Sequence, residues 1–308
     1  MLTGWPRYLP LFLLLAACAR PAVHPDADFS AAIGEIEQRV GGVIGVYALD
    51  TGSGRELAWR ADRRFAMAST FKVVLVAAVL ADVDMGRLSL SDELDIGAEP
   101  IVSHSPVTGA LTAGERISVA ALCDAAITQS DNTAANRLLR LVGGPAGLTR
   151  FLRAHGDEST RLDRYEVELN SNLRHDERDT TTPRAMVASL RRFLLAGALS
   201  SASQRQLQDW MVASLTGSAR LRAGLPTDWR IGDKTGTGAN GAVNDVAIAW
   251  PPGKSPIIIA VYMSGSEAGN ATLSAAHADI ATLVADRFRI SVAGLRKPLI
   301  TQRGRSGV

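Results

Sequence analysis

Residues 66–80 read AMASTFKVVLVAAVL, and this stretch divides the chain into two kinds of pattern. Before it, GVIGVYALD (42–50) and ELAWR (56–60) flank the glycine-rich TGSGR, which reads as two strands joined by a turn. From Ser69 onward the spacing turns helical, through 70–83, SVAALCDAAIT (118–128), NTAANRLLRLVG (132–143) and PAGLTRFLRAHG (145–156), and several of these runs close on glycine. Strands return in DWRIGDKTGTG (228–238), VNDVAIAWPP (243–252) and PIIIAVYMSG (256–265), separated by the turn segments TGANGA and PPGKS. Amphipathic helices are expected at FSAAIGEIEQRV (29–40) and SAAHADIATLVADRF (274–288).

The fold expected from this order is α/β: an antiparallel sheet flanked by helices, formed by both chain ends, with an all-helical domain inserted. The expected boundaries are 29–62 with 213–290 for the α/β part and 63–212 for the helical part, followed by a basic tail at 291–308. With 308 residues and 46% hydrophobic composition, there is material for one large core or two interlocked ones. The net charge of +2 and the absence of a basic run interleaved with aromatics give no support for nucleic-acid binding, so a small molecule is the expected partner.

The first 28 residues read as a signal and linker: Arg7, an apolar run from Tyr8 to Ala17, then small residues. Ala17-Cys18-Ala19 fits a small-residue cleavage site, and Leu15-Ala16-Ala17-Cys18 resembles a lipobox, which is the preferred reading. Export to the periplasm is expected, with a membrane tether through lipidated Cys18. Cys123 is the other cysteine and sits in an apolar run, so it reads as a small core residue with no intramolecular disulfide. The five histidines show no ligand spacing, and neither a metal nor a cofactor is expected.

Lysine is scarce, occurring at 72, 234, 254 and 297 against 29 arginines. If a helix starts at Ser69, Lys72 lies on the same face, close enough for its amine to reach the serine hydroxyl. A serine is a weak nucleophile until a base takes its proton; a lysine can be that base when its pKa is lowered, and an arginine cannot. A helix N-terminus and an apolar surround push Lys72 toward the neutral amine, while an acidic partner would push the other way. The ordinary reading of Ser-x-x-Lys is a helix cap with a snorkelling lysine. Two further patterns count against it. Ser130-Asp131-Asn132 stands at a joint between helices, where Asp131 reads as a cap, Ser130 could relay a proton and Asn132 could bind an amide. In GDKTGTG, the residues Lys234, Thr235 and Thr237 lie along one strand and are expected to serve one face, with Gly236 and Gly238 keeping the strand bare for a ligand or another backbone.

Ser-x-x-Lys, Ser-Asp-Asn and Lys-Thr-Gly in this order make the chain resemble the class A serine β-lactamases, over about residues 30–290. The resemblance implies Ser69 as an acylated nucleophile, with its own N–H and that of Thr237 as the oxyanion hole. It implies Ser130 as proton donor to the β-lactam nitrogen, Asn132 as binder of the side-chain amide, and Lys234, Thr235 and Thr237 as recognising the ligand carboxylate. RYEVELN (164–170) looks like the loop element in which Glu166 activates water with Asn170 as its partner, closed by an Arg164–Asp179 ion pair. Lys72 and Glu166 both stand as the base for acylation. Arg220 resembles an arginine that assists at the carboxylate, or else is a surface helix charge, and His104 falls where the family often puts an aromatic at the cleft mouth. Ala68 and Gly238 occupy positions where several carbapenem-hydrolysing members carry a cysteine bridge. The expected substrates are penicillins and cephalosporins, acted on by a monomer, with antibiotic resistance as the outcome. The competing reading is a penicillin-binding D-Ala-D-Ala carboxypeptidase or transpeptidase, and a binding protein that kept the fold without turnover is a third.

Overall fold

The computed structural model describes Met1 and residues 25–95, 100–112 and 114–290. The signal and lipobox segment around Cys18 and the basic tail at 291–308 lie outside the described residues. Helix α1 (Pro25–Val40) leads into the hairpin β1 (Val43–Asp50) and β2 (Glu56–Trp59). The C-terminal part supplies the short helix α8 (Leu221–Gly224), β7 (Arg230–Thr237), β8 (Val243–Trp250), β9 (Ile257–Ser264) and α9 (Asn270–Ile290). These strands form a five-stranded antiparallel sheet in the order β2-β1-β9-β8-β7, so the chain's two ends pair through β1 and β9. This is the expected α/β sheet, with β7 at its edge.

Strand alternation divides the sheet between two cores. Ile44, Val46 and Ala48 of β1 and Ile259 and Val261 of β9 face α1 and α9, packing with Phe29, Ile33, Leu273 and Ile280. Their neighbours Tyr47, Leu49, Ile258, Ala260 and Tyr262 face the helical segment. At the centre of that segment runs α2 (Phe71–Asp84), whose residues from Phe71 to Ala81 are all buried. A helix apolar all round belongs in the middle of a bundle, and α2 is surrounded by α3 (Val119–Thr128), α4 (Asn132–Leu141), α5 (Gly144–Ala154), α6 (Pro183–Leu194) and α7 (Ser201–Val212).

The segment expected to be all helical also contains two short antiparallel pairs, β3 (Phe65–Ala66) with β6 (Thr180–Thr181) and β4 (Glu93–Asp95) with β5 (Arg116–Ser118). Two or three residues are too few to show a period of two in the sequence. The β3–β6 pair matters for the site, because it ties the end of the long loop at 161–182 to the chain just before Ser69. Met67 N also donates to Asp179 O at 2.9 Å.

Asn244 on β8 fastens the same stretch to the sheet. It is fully buried; its Nδ2 lies 2.9 Å from Ala66 O and 3.1 Å from Met67 O, and its Oδ1 accepts from Met263 N at 3.2 Å. In Asn244→Ala these buried groups lose their partner, so the variant is expected to lose at least about 1–3 kcal/mol of stability in urea denaturation. An unchanged midpoint would show that the asparagine ties nothing.

Candidate active site

Ser69 does not open the helix as expected; it lies in a 3₁₀ turn (Ala68–Thr70) that runs into α2. The tighter turn holds Ser69 and Lys72 together all the same, with Lys72 Nζ 3.0 Å from Ser69 Oγ. The lysine is wholly buried, and four further acceptors surround its Nζ: Asn132 Oδ1 at 2.6 Å, Ser130 O at 2.8 Å, Ser130 Oγ at 3.4 Å and Glu166 Oε1 at 3.1 Å. Burial pulls the Lys72 ammonium below the usual lysine range, and the attraction of Glu166 opposes that without reversing it.

Glu166 also reaches the nucleophile, with Oε1 at 3.4 Å from Ser69 Oγ, and its Oε2 accepts from Asn170 Nδ2 at 2.5 Å. Two oxygens 3.4 Å apart can both touch one water at ordinary hydrogen-bond distance. Asn170 Oδ1 is a buried acceptor with no protein partner, which supplies a third contact for such a water. The loop is closed by Arg164 Nε on Asp179 Oδ2 at 2.5 Å, while Asp179 Oδ1 accepts the N–H groups of Asp163 and Arg164. Glu168 is exposed.

Sequence reasoning missed Asn136, which pins the backbone of Glu166 from both sides: Asn136 Nδ2 donates to Glu166 O at 2.9 Å and Glu166 N donates to Asn136 Oδ1 at 2.9 Å. A signal existed. Asn136 follows Asn132 by four residues, so the two amides share one face of α4.

Ser130, with φ of 60°, sits between the two buried lysines, its Oγ also 3.0 Å from Lys234 Nζ. Lys234 further donates to Thr235 O at 2.8 Å. Burial, reinforced by the positive charge of Lys72, brings the Lys234 ammonium down to about 7. Asp131 caps α4 through Ala134 N and also accepts from the backbone of Val107 and Thr108, so its role is structural.

The expectation that Lys234, Thr235 and Thr237 serve one face is corrected by the strand's period of two. Lys234 and Gly236 face Ser130 and the Ser69 turn; a Cβ at Gly236 would lie 2.7 Å from Met67 O and 3.2 Å from Ser69 N. Asp233, Thr235 and Thr237 face the 214–222 segment. There Thr216 Oγ1 lies 2.7 Å from Thr235 Oγ1, and Arg220 Nη2 donates to Thr237 Oγ1 at 2.7 Å. Arg220 is no surface charge: it is buried, with Nη1 held by Gly236 O and Asn244 O. Thr216 was not foreseen, since a threonine just beyond a helix carries no signal of its own.

Ser69, His104, Ser130, Asn132, Asn170, Thr216, Arg220, Thr235 and Thr237 line one cleft of about 310 Å³. His104 is exposed at this cleft, with Nε2 3.2 Å from Gln129 O. One N–H of Asn132 Nδ2 is engaged by Ser103 O at 2.8 Å, which leaves the other for a ligand. Among the described residues, no group of three or more His, Cys, Asp or Glu side chains is placed to hold a metal ion. The arrangement offers a hydroxyl flanked by an amine and a carboxylate, backbone amides beside it, and a cationic end to the cleft. That set suits acyl transfer to serine followed by hydrolysis.

A family model described as "Beta-lactamase enzyme family" matches residues 28–288. Beta-lactamase AST-1 of Nocardia asteroides is 49% identical over 233 residues, covering 76% of this chain and 75% of the relative. The carbapenem-hydrolyzing beta-lactamase KPC of Klebsiella oxytoca is 48% identical over 230 residues, 74% of this chain and 78% of its own. Among solved structures, the class A β-lactamase of the last common ancestor of Gram-negative bacteria (GNCA4) superposes with a TM-score of 0.83 at 53% identity, covering 85% of this chain and all of that one. With the cleft, the loop and the sheet in agreement, the chain belongs to the β-lactamase enzyme family, within class A.

Proposed function

We propose that this β-lactamase opens the β-lactam amide of penicillins and cephalosporins through an acyl group on Ser69 and frees that group by hydrolysis at Glu166, conferring antibiotic resistance. The observation that carries the reading is the triangle of Ser69 Oγ, Lys72 Nζ and Glu166 Oε1, in which the hydroxyl oxygen lies 3.0 Å from the amine and 3.4 Å from the carboxylate and those two are 3.1 Å apart. The hydroxyl attacks the lactam carbonyl, and its proton goes to Lys72 directly or to Glu166 through water. Lys72 touches both Ser69 Oγ and Glu166 Oε1, so either route leaves the proton within the same buried pair. The N–H groups of Ser69 and Thr237 take the developing oxyanion. The C–N bond breaks as Ser130 gives its proton to the nitrogen, and the neighbouring Lys72 and Lys234 can replace it. Glu166 and Asn170 then orient a water, Glu166 accepts its proton, the oxygen attacks the ester, and Ser69 leaves with a proton restored.

Lys234, Thr235, Thr237 and Arg220 form the end that receives the ligand carboxylate. Asn132 binds the side-chain amide, and His104 stands at the mouth. We propose that the protein acts as a monomer. We propose further that the chain is exported to the periplasm and tethered by lipid on Cys18, on the strength of the Leu15-Ala16-Ala17-Cys18 pattern.

After exposure to a penicillin, Glu166→Ala should retain the added mass of the drug while wild type does not, with turnover down roughly a hundred- to ten-thousand-fold. Wild-type turnover in that variant would remove Glu166 from the reaction. Ser69→Ala should take up no covalent label while keeping its circular dichroism. A second test uses pH. Lys234 is a cation below its folded-state pKa, which burial has lowered to about 7, and neutral above it. Since kcat/KM reports the free enzyme, kcat/KM for an anionic β-lactam should fall on the alkaline side well below lysine's ordinary 10.5. Lys234→Arg cannot lose its charge, so its profile should lack that limb; an identical limb in both proteins would assign it elsewhere. Radioactive palmitate fed to expressing cells should label the wild type and not Cys18→Ser.

A further inference from the structure

Two turns beside the sheet carry arginines that the reaction does not use. In ADRRF (61–65), Arg63 N donates back to Arg60 O at 3.1 Å, with φ of 46° at Arg60. In NLRHDER (172–178), Asp176 N donates to Leu173 O at 3.2 Å with φ of 62° at His175, so Arg174 and His175 stand at the tip of a β-turn. These two segments, with Val43 at the start of β1 and Ser264 at the end of β9, line a cavity of about 980 Å³. It shares no lining residue with the catalytic cleft.

Four basic side chains, Arg63, Arg64, Arg174 and His175, line this cavity against the acids Asp176 and Glu177. Both acids are already matched: Asp176 Oδ2 accepts from Arg178 Nη2 at 2.8 Å and lies 3.8 Å from Arg164 Nη2, and Glu177 Oε2 lies 3.8 Å from Arg64 Nε. Arg64 is matched as well, its Nη1 donating to Ser159 O at 2.8 Å and to Thr180 Oγ1 at 3.1 Å. The other three are not. Arg63 lies over the Phe65 ring at 6.0 Å, and among the described residues the side chains of Arg63, Arg174 and His175 have neither a hydrogen bond nor an ion pair. Two guanidinium groups that reach one cavity from separate segments suit an anion with two charged groups. Phosphoryl oxygens accept from several directions at once, which matches a pair of guanidinium forks better than one planar carboxylate does.

We infer that this cavity is a diphosphate site, in which Arg63 and Arg174 each hold one phosphoryl group and a ring N–H of His175 donates beside them. The volume leaves room for an organic group esterified to the anion. An occupant ties the outer arc of the loop that carries Glu166 and Asn170 to the chain leading into Ser69, and does so from outside the cleft. Binding itself requires neither Ser69 nor Glu166.

The test is titration calorimetry of the purified full-length protein with inorganic pyrophosphate and with ADP, at one fixed ionic strength so that general screening is constant. Each of Arg63→Gln and Arg174→Gln should weaken pyrophosphate binding about tenfold, the size of one lost charged hydrogen-bonding partner. Neither arginine supports the fold through a hydrogen bond, so both variants should keep the wild-type circular dichroism. Arg205→Gln, which removes an exposed arginine outside the cavity, should bind as the wild type does. Tighter binding of ADP than of pyrophosphate assigns an esterified diphosphate to the site, and weaker binding assigns the free anion. Hydrogen exchange of the amides at 172–177 should slow when pyrophosphate is bound. The catalytic cleft is the rival location, because its cationic end also attracts anions: competitive inhibition of benzylpenicillin hydrolysis by pyrophosphate, with a constant equal to the calorimetric Kd, would place the anion there and overturn the site. So would the absence of binding by both probes, wild-type affinity in Arg63→Gln or Arg174→Gln, or unchanged exchange at 172–177.

Discussion

A lysine ammonium and a glutamate carboxylate, neither with any exposed side-chain surface, meet 3.1 Å apart beneath the nucleophile. Taking either ion out of water alone costs several kcal/mol, and removing one partner leaves the other uncompensated. The pair therefore demands that α2 and the 161–182 loop come together, although their charged residues are 94 positions apart (166 − 72). The surrounding structure meets that demand. Asn136 fixes the Glu166 backbone, Arg164 and Asp179 close the loop, and Met67 N on Asp179 O ties the loop's end to the Ser69 turn. Groups that serve the chemistry are in this way also each other's counterions.

The same constraint reaches Lys234 through Ser130. Two buried ammonium groups share one hydroxyl, and the charge on the first helps to lower the pKa of the second. Opposing charge comes from Asp233 and Asp245. Burial raises both acids above the usual carboxylate range, and the Arg222 guanidinium beside Asp233 draws that acid back only in part. Because adjacent residues on a strand point to opposite faces, Asp233 can attract Lys234 from behind without entering the cleft where a ligand carboxylate must sit. As the edge strand, β7 keeps one side free for that ligand.

Much of this was legible in the sequence, because period and spacing are local. The hairpin, the late meander, the buried central helix and the three short motifs all announce themselves within a dozen residues. The Arg164–Asp179 closure came from resemblance and is present. What escaped was set by tertiary contact. The 3₁₀ turn at Ser69 is held by Met67, Asn244 and β7 rather than by any preference of Ala-Ser-Thr. Helix α7 went unassigned because SASQRQLQDWMV is mostly polar and buries only a few of its residues. Thr216 looks like an ordinary loop residue until its partner Thr235 arrives on β7.

The backbone explains why the site resists prediction from propensity. Ala68, His104, Ser130, Asn172, Asp179 and Asn240 all have positive φ, and all border the cleft or the loop that serves it. An alanine or serine in the left-handed region costs of order 1–3 kcal/mol, and such a conformation persists only where neighbours overdetermine it. Each of the six is so held: Ser130 by two lysines, Asp179 by Arg164 and two backbone amides, the asparagines by one another, His104 O by Asn132 N, and Ala68 by the turn that β7 and Asn244 enclose. The two cores on either face of the sheet stabilise the frame against which this strain is maintained. Local preference is thus least informative where the chain does its chemistry, since there the conformation is imposed from outside the segment.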